Sequence, residues 1–252
     1  MSFDVPADAY GRFMGRFSEP LAAQFAAFLR LAPGQDVLDV GCGPGALTAV
    51  LAAELGPERV SALDPSESFV AAVRARLPGV DARSGTAEAL PWPDDSFDCA
   101  AAQLVVHFMA DPAAGIAEMA RVTRTGGTVA ATVWDFAGGT APLSAFWLAA
   151  KEIDPAAPGE ADRPGTRDGQ LAALLRQAGL SEIDATALTV TLSFASFDEW
   201  WTPLTFGVGP AGGYLAGLDD AHRAAIRAAC ARRFPEAPFT LPARSWTARA
   251  RV

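Results

Sequence analysis

The size and charge of the chain indicate one α/β domain and exclude two classes of partner. Its 252 residues are 50% hydrophobic and 19% charged, so the chain can bury a sizeable core. The net charge of -9 argues against nucleic acid as the main partner, because phosphate binding needs a basic face. No apolar run reaches the roughly 18 residues of a membrane span, so we expect no membrane partner.

The N-terminal residues and the cysteines predict a cytoplasmic location. Residues 1–10 include acidic side chains and lack the basic and apolar pattern of a signal peptide. Cys42, Cys99 and Cys230 fit neither a disulfide framework nor a metal site. We therefore expect reduced thiols and no bound metal.

Predicted strands and helices alternate from residue 36 to residue 134. Ser18 is expected to cap a first helix over 18–30. Strands are expected at 36–40, 60–63, 80–83, 98–106 and 128–134, and helices at 46–55, 66–76 and 111–121. This alternation predicts a parallel, doubly wound sheet.

The pattern changes after residue 135. Helices are expected at 141–152, 168–178 and over much of 196–234, and strands at 183–194 and 243–252. Two late strands separated by a helical stretch predict an antiparallel strand pair at the sheet edge, with an inserted helical section.

The segment Val37–Gly45 is the strongest signal of a binding site. It indicates a buried strand that carries Asp39, followed by a turn with Gly41, Gly43 and Gly45. Three glycines in five positions leave the backbone bare for a ligand, and the start of the next helix supplies unpaired N–H groups.

Asp64 follows Gly45 by 19 residues, at the end of the next predicted strand. A carboxylate there can accept hydrogen bonds from the two hydroxyls of a ribose. The alternative is a turn acid that caps the helix after Pro65 and Ser66.

The glycine turn and Asp64 together fit two cofactors. Gly41, Gly43 and Ala46 form Gly-x-Gly-x-x-Ala, a fingerprint of dinucleotide sites such as those for NAD. Asp39 argues against NAD, because its negative charge would lie beside the pyrophosphate of that cofactor. A carboxylate at this position suits an ammonium group better. Pro44 in the turn and the polar loop 85–98 also favour another cofactor.

Together these segments resemble the class I S-adenosylmethionine-dependent methyltransferases, and most closely the UbiE-like small-molecule group (methyltransferase type 11). The resemblance covers roughly residues 10–135. It rests on Val37–Gly45, Leu63–Ser66, Ala87-Glu88 with the run Pro91–Asp98, and Ala120–Gly127. Thr125 stands where the family usually has proline.

The resemblance implies S-adenosyl-L-methionine as the cofactor. The glycine turn would hold the methionine part, and Asp39 would face its amino group directly or through water. Gln103 would lie beside the methionine part, or would be a polar residue at the end of the core that is satisfied by backbone.

The resemblance also implies a site for the nucleoside. Asp64, with Pro65 beside it, would bind the ribose. The N–H of Ala87 and the side chain of Glu88 would meet the adenine, with a solvated loop acid as the alternative for Glu88.

The N-terminal segment Tyr10–Ser18 mixes aromatic residues with two arginines. We expect a lid over the cofactor, in which Tyr10 or Arg16 meets the cofactor carboxylate. The alternative is an exposed amphipathic turn that packs Phe13 and Phe17 on the core.

His107 is the catalytic candidate. Methyl transfer from a sulfonium is an in-line displacement, in which the protein aligns the nucleophile and excludes water. A histidine after the fourth strand can act as a base at neutral pH, or it can be structural.

The predicted fold is a mostly parallel, seven-stranded, Rossmann-like sheet in a single domain. We expect a helical lid at 1–35, an S-adenosylmethionine-binding core at 36–135, and a C-terminal part with a helical substrate cap at 136–252. Five of the six tryptophans follow residue 133, which indicates an apolar or aromatic small-molecule acceptor.

The predicted function is methyl transfer to that acceptor by a monomer or homodimer. Two alternatives stay open. One is a relative that binds S-adenosylmethionine but performs other chemistry or regulation, and the other is an NAD-dependent oxidoreductase.

Overall fold

The computed structural model describes residues 10–252, so residues 1–9 of the predicted lid lie outside the described residues. Its centre is a seven-stranded sheet. The strands are β1 (Val37–Val40), β2 (Val60–Asp64), β3 (Asp81–Ser84), β4 (Phe97–Gln103), β5 (Thr123–Trp134), β6 (Ser181–Phe194) and β7 (Phe239–Arg251). The α-helices are α1 (Arg16–Leu29), α2 (Ala46–Leu55), α3 (Glu67–Arg76), α4 (Pro112–Val122), α5 (Ser144–Ile153), α6 (Gln170–Gln177), α7 (Phe197–Trp201), α8 (Gly209–Ala216) and α9 (Asp220–Ala231).

In the strand order β3-β2-β1-β4-β5-β7-β6, the chain crosses from the edge strand β3 to β4 beside β1, so the order reverses between β1 and β4. The pairs β1–β2, β1–β4, β2–β3 and β4–β5 are parallel, whereas β7 is antiparallel to both β5 and β6. The predicted Rossmann-like sheet with antiparallel C-terminal strands is therefore confirmed. In such sheets a ligand binds beyond the carboxyl ends of the strands at the switch point, which here lies between β1 and β4.

Alternate residues of the central strands belong to different cores. Val37 and Cys99 pack with apolar side chains of α1, α2 and α3, whereas Leu38 and Ala100 pack with those of α4 and α6. Because both faces are covered by helices, these strands are apolar on both sides, as their sequence predicted.

A third core joins the C-terminal helices to the end of the sheet. It contains several aromatic side chains, among them Phe146 and Trp147 of α5, Trp200 and Trp201 of α7, and Phe194 of β6. In the sequence, α5 precedes β6 and α7 follows it. The division of the chain into lid, core and cap stays a prediction.

Four local predictions were wrong. Strand β7 begins at Phe239 rather than at 243. Ser18 is no N-cap, because a π-helical turn over Gly11–Gly15 runs directly into α1, and the Ser18 hydroxyl donates to Gly15 O. Strand β4 ends at Gln103, three residues early, and is followed by a short helical turn at Val106–Phe108. Strand β5 begins at Thr123 rather than 128, because Gly126 and Gly127 pair with Val252.

The cysteines and the helices were also considered in the sequence-based predictions. The three cysteines are free and buried. Within residues 10–252, no helix combines the length and apolar character that crossing a membrane requires.

Candidate functional site

The glycine turn after β1 is held against the end of β2. The N–H groups of Gly41 and Cys42 both donate to Leu63 O, at 2.7 and 2.9 Å. Gly41, Gly43 and Gly45 have φ angles of +71°, +53° and +89°, which favour glycine. A Cβ on Gly41 would also lie 2.6 Å from Val105 Cγ1, so the turn needs glycine there for space as well as conformation.

Asp39 lies under this turn and is almost fully buried, at 1% exposure. Its Oδ2 accepts a hydrogen bond from Thr48 Oγ1 at 2.6 Å. Burial raises the pKa of Asp39 to about 7, and the charge of Asp64 adds to the rise. A cation beside Asp39 would stabilise its charged form, so the carboxylate suits the ammonium group predicted from the sequence.

Asp64 ends β2 and binds the backbone on both sides. One carboxylate oxygen accepts from Gly43 N at 2.9 Å and the other from Ser66 N at 2.8 Å. Burial raises the pKa of Asp64, and the two backbone donors oppose that rise. Asp64 therefore stabilises the turns on either side of it, as the alternative of a turn acid predicted. Its side chain also lines the cleft described next.

The glycine-turn cleft consists of two adjoining openings, of about 510 and 300 Å³ counting their open mouths. Both are lined by Tyr10, Gly41, Gly43, Gln103 and Leu104. The larger opening adds Asp64, Pro65, Phe69, Val105 and Phe108, and the smaller one adds Ser18, Asp39, Cys42, Pro44, Ala46 and Leu47. Seven predicted cofactor residues thus meet in one place: Tyr10, Asp39, Gly41, Gly43, Asp64, Pro65 and Gln103.

Gln103 presents an acceptor without a partner. Its Nε2 donates to Ser18 O at 3.0 Å, but its buried Oε1 finds no hydrogen-bond donor among residues 10–252. A buried orphan acceptor is costly, and a donor in the cleft would satisfy it.

Four predicted residues do not line this cleft. Gly45 is the N-cap residue of α2. Arg16 NH2 donates to Glu199 Oε1 at 2.8 Å, which ties α1 to α7. Ala87 is buried beside Gly115.

Glu88 joins two loops. Its Oε1 accepts from Ala110 N at 2.8 Å and from Asp111 N at 3.3 Å, which connects the loop after β3 to the start of α4. Its predicted contact with adenine, like the cofactor roles of the other motif residues, stays a prediction.

A second cavity, the aromatic cavity, adjoins the cleft. It measures about 410 Å³ with its mouth and shares Tyr10, Leu104 and Phe108 with the cleft. The other lining residues are Phe13, Met14, His107, Trp134, Phe136, Leu143, Glu160, Val208, Gly209 and Pro210.

His107 lies in the wall of the aromatic cavity and is 4% exposed. Its ring lies 3.9 Å from that of Phe108, and its Nδ1 has no hydrogen-bond partner within the described part of the chain. Burial, and then the charge of Arg163, lowers the pKa of His107 to about 3. The imidazole is therefore neutral and only weakly basic.

Sequence reasoning missed two residues of this region. Glu160 is a buried carboxylate in the irregular loop after α5, where no periodicity marks it. Leu104 adopts a φ of +63°, which is unusual for a residue with a Cβ, and it lines both cavities. Neither residue carries a signal that a single sequence reveals.

Comparison with known proteins identifies a family that part of this chain matches. Residues 38–131 match the family model described as "Methyltransferase domain". The uncharacterized methyltransferase Rv3342 of Mycobacterium tuberculosis is 40% identical over 135 residues, which cover 54% of this chain and 52% of that protein.

A protein of Mycolicibacterium smegmatis named "Probable S-adenosylmethionine-dependent methyltransferase" is 45% identical over 94 residues, 37% of this chain and 36% of that protein. This chain thus spans about a third to a half of the length of these two relatives.

Among solved structures, phosphoethanolamine N-methyltransferase 2 of Haemonchus contortus in complex with S-adenosyl-L-methionine is similar, with a TM-score of 0.59. The match has 15% identity and covers all of this chain and 60% of that one, so this likeness shows the fold alone. The family match and the relatives confirm the resemblance and the cofactor that the sequence motifs predicted.

Replacing Gly41 by alanine tests the close approach of the turn to Val105. We expect Gly41→Ala to lower the free energy of unfolding by about 1–3 kcal/mol more than Gly34→Ala, because only the first adds overpacking to the strain of a positive φ. Gly34 is the matched control, since its φ is +86° and a Cβ there would meet nothing within 4 Å. Urea unfolding measures both, and equal losses would contradict the close contact.

The buried His107 predicts a pH dependence of stability. In the unfolded chain, His107 takes up a proton below about pH 6.5. In the folded protein it does so only near pH 3. The folded protein therefore loses stability as the pH falls from about 6.5 towards 3. Between pH 7 and pH 5, we expect the wild type to lose about 2 kcal/mol more than His107→Gln. Denaturant titrations at both pH values measure this, and parallel losses in the two proteins would show that His107 is not buried neutral.

Proposed function

We propose that this chain, whose residues 38–131 are a class I S-adenosylmethionine-dependent methyltransferase domain, transfers a methyl group to a small apolar or aromatic molecule. The observation that carries the proposal is the contact between two cavities. The glycine-turn cleft and the aromatic cavity adjoin, because Tyr10, Leu104 and Phe108 line both. A cofactor in the first cavity would therefore lie beside an acceptor in the second.

The residues of the cleft fit S-adenosylmethionine in three respects. Asp39 is a buried carboxylate that a neighbouring ammonium group would keep charged. The orphan acceptor of Gln103 needs a donor. Asp64 lies in the cleft wall with Pro65, where its carboxylate can accept hydrogen bonds from ribose hydroxyls.

The bound cofactor supplies a methyl group that its positively charged sulfur activates. The protein then has to orient the acceptor and exclude water. Tyr10 is suited to the second task, because it lines both cavities and packs edge-on against Phe69 with a ring distance of 5.4 Å. We assign the lid role to Tyr10 and the following π-helical turn.

We assign His107 an orienting role at the acceptor. With its pKa lowered to about 3, the imidazole is a poor recipient for a full proton at neutral pH. A neutral ring nitrogen can still accept a hydrogen bond from an O–H or N–H group and thereby aim its lone pair.

Replacing Asp64 by asparagine tests the ribose contact. We expect Asp64→Asn to weaken binding of S-adenosylhomocysteine by about 1.5–3 kcal/mol, roughly 10- to 150-fold, because hydrogen bonds to a charged acceptor are the stronger kind. Isothermal titration calorimetry measures the dissociation constant. Asp220→Asn is the control, because Asp220 has a side chain that is 98% exposed on α9.

The same titrations separate the alternatives. Unchanged affinity of Asp64→Asn would refute the ribose assignment, and saturable binding of NAD without binding of S-adenosylhomocysteine would refute the proposed function. Tight binding of S-adenosylmethionine without methyl transfer to any acceptor would support a relative with other chemistry.

A further inference from the structure

Glu160 places a buried carboxyl group in the wall of the aromatic cavity. The residue lies in the loop between α5 and α6 and is 3% exposed. Its Oε2 accepts a hydrogen bond from Trp147 Nε1 at 2.8 Å, so a core side chain fixes the carboxylate in position. The proposed function does not use this carboxylate.

The other ionisable groups in the wall are neutral. Burial lowers the pKa of His107, and burial with the charge of Asp64 raises the pKa of Tyr10 well above its ordinary value. Of the described residues that line the cavity, none is lysine or arginine. Arg163 is the nearby cation, and it donates to His107 O at 3.2 Å while its guanidinium lies over the Phe108 ring.

The aromatic rings in the wall favour a cation as well. The rings of Phe13, Phe108, Trp134 and Phe136 line the cavity, and an aromatic face attracts a cation within about 6 Å. Burial raises the pKa of Glu160, since the neutral donor Trp147 and the charge of Arg163 offset its desolvation only in part. A cationic ligand would complete that compensation, whereas an anionic ligand would be repelled.

We propose that Glu160 makes the aromatic cavity selective for acceptors that carry a protonated amino group next to an apolar or aromatic body. This inference rests on the proposed function, because it names the class of acceptor for the same site. Glu160 is a specificity-determining residue in this account: it anchors the ammonium group.

The test compares ligands that share a body and differ in the polar group. The probes are 2-phenylethylamine, 2-phenylethanol and phenylacetate, and the indole set tryptamine, tryptophol and indole-3-acetate. Each is titrated calorimetrically into the full chain saturated with S-adenosylhomocysteine. In at least one set we expect the amine to bind about tenfold or more tightly than the alcohol, and the carboxylate to bind most weakly.

The variant Glu160→Gln isolates the charge. Glutamine keeps the shape and an oxygen that can accept from Trp147 Nε1, so a merely structural role would leave the ranking of the ligands unchanged. We expect the variant to lose the preference for the amine and to keep its affinity for the alcohol. Glu152→Gln is the matched control, because Glu152 pairs with Arg232 and Arg233 outside the cavity.

Each outcome decides the proposal. Amine and alcohol of equal affinity in both sets, or no binding of any amine, overturns it, and this comparison needs only the wild type. A preference for the amine that survives in Glu160→Gln overturns the role of Glu160. Failure of S-adenosylhomocysteine to bind at the outset counts against the proposed function instead, so the two failures are distinguishable.

Discussion

The attachment of the glycine turn to the end of β2 is the contact on which the rest of the site depends. Two consecutive N–H groups of the turn share Leu63 O, and a third donates to the carboxylate of Asp64. These bonds bring the carboxyl ends of β1 and β2 together and leave the turn backbone facing a cleft. The bonds also place Asp39 and Asp64 at one edge of the sheet, although 24 residues separate them in sequence.

The electrostatic character of the region follows from how its acids are buried. Burial raises the pKa of Asp39, Asp64 and Glu160 alike. Their hydrogen-bond donors are neutral groups: a hydroxyl, two backbone N–H groups and an indole. Neutral donors compensate a buried charge less well than a cation does. A positively charged group in either cavity would therefore stabilise the ionised form of these acids, which agrees with a cofactor that carries an ammonium and a sulfonium.

The sequence predicted the parts of the molecule that are governed by local pattern. Alternating apolar segments indicated the sheet, and the glycine spacing after β1 indicated the turn, because both depend on neighbouring residues. Ser18 was misassigned because a π-helical turn before α1 has no distinct sequence signature. Arg16 and Glu199 pair across 183 residues, and the irregular loop around Glu160 has no periodicity, so only the folded chain reveals those contacts.

The junction of the two cavities links the strain in the backbone to the proposed chemistry. Leu104 follows the end of β4 with a φ of +63°, a conformation that costs an L-residue roughly 1–2 kcal/mol. Its N–H is bonded to Thr132 O at 2.8 Å, so pairing with β5 holds it there. The next residue, Val105, then lies against Gly41, where only glycine fits. Leu104 lines both cavities and Gly41 lines the cleft, so the strained residue and the glycine turn meet where the two cavities adjoin. An in-line transfer requires the cofactor methyl group and the acceptor atom to be in direct contact at such a junction.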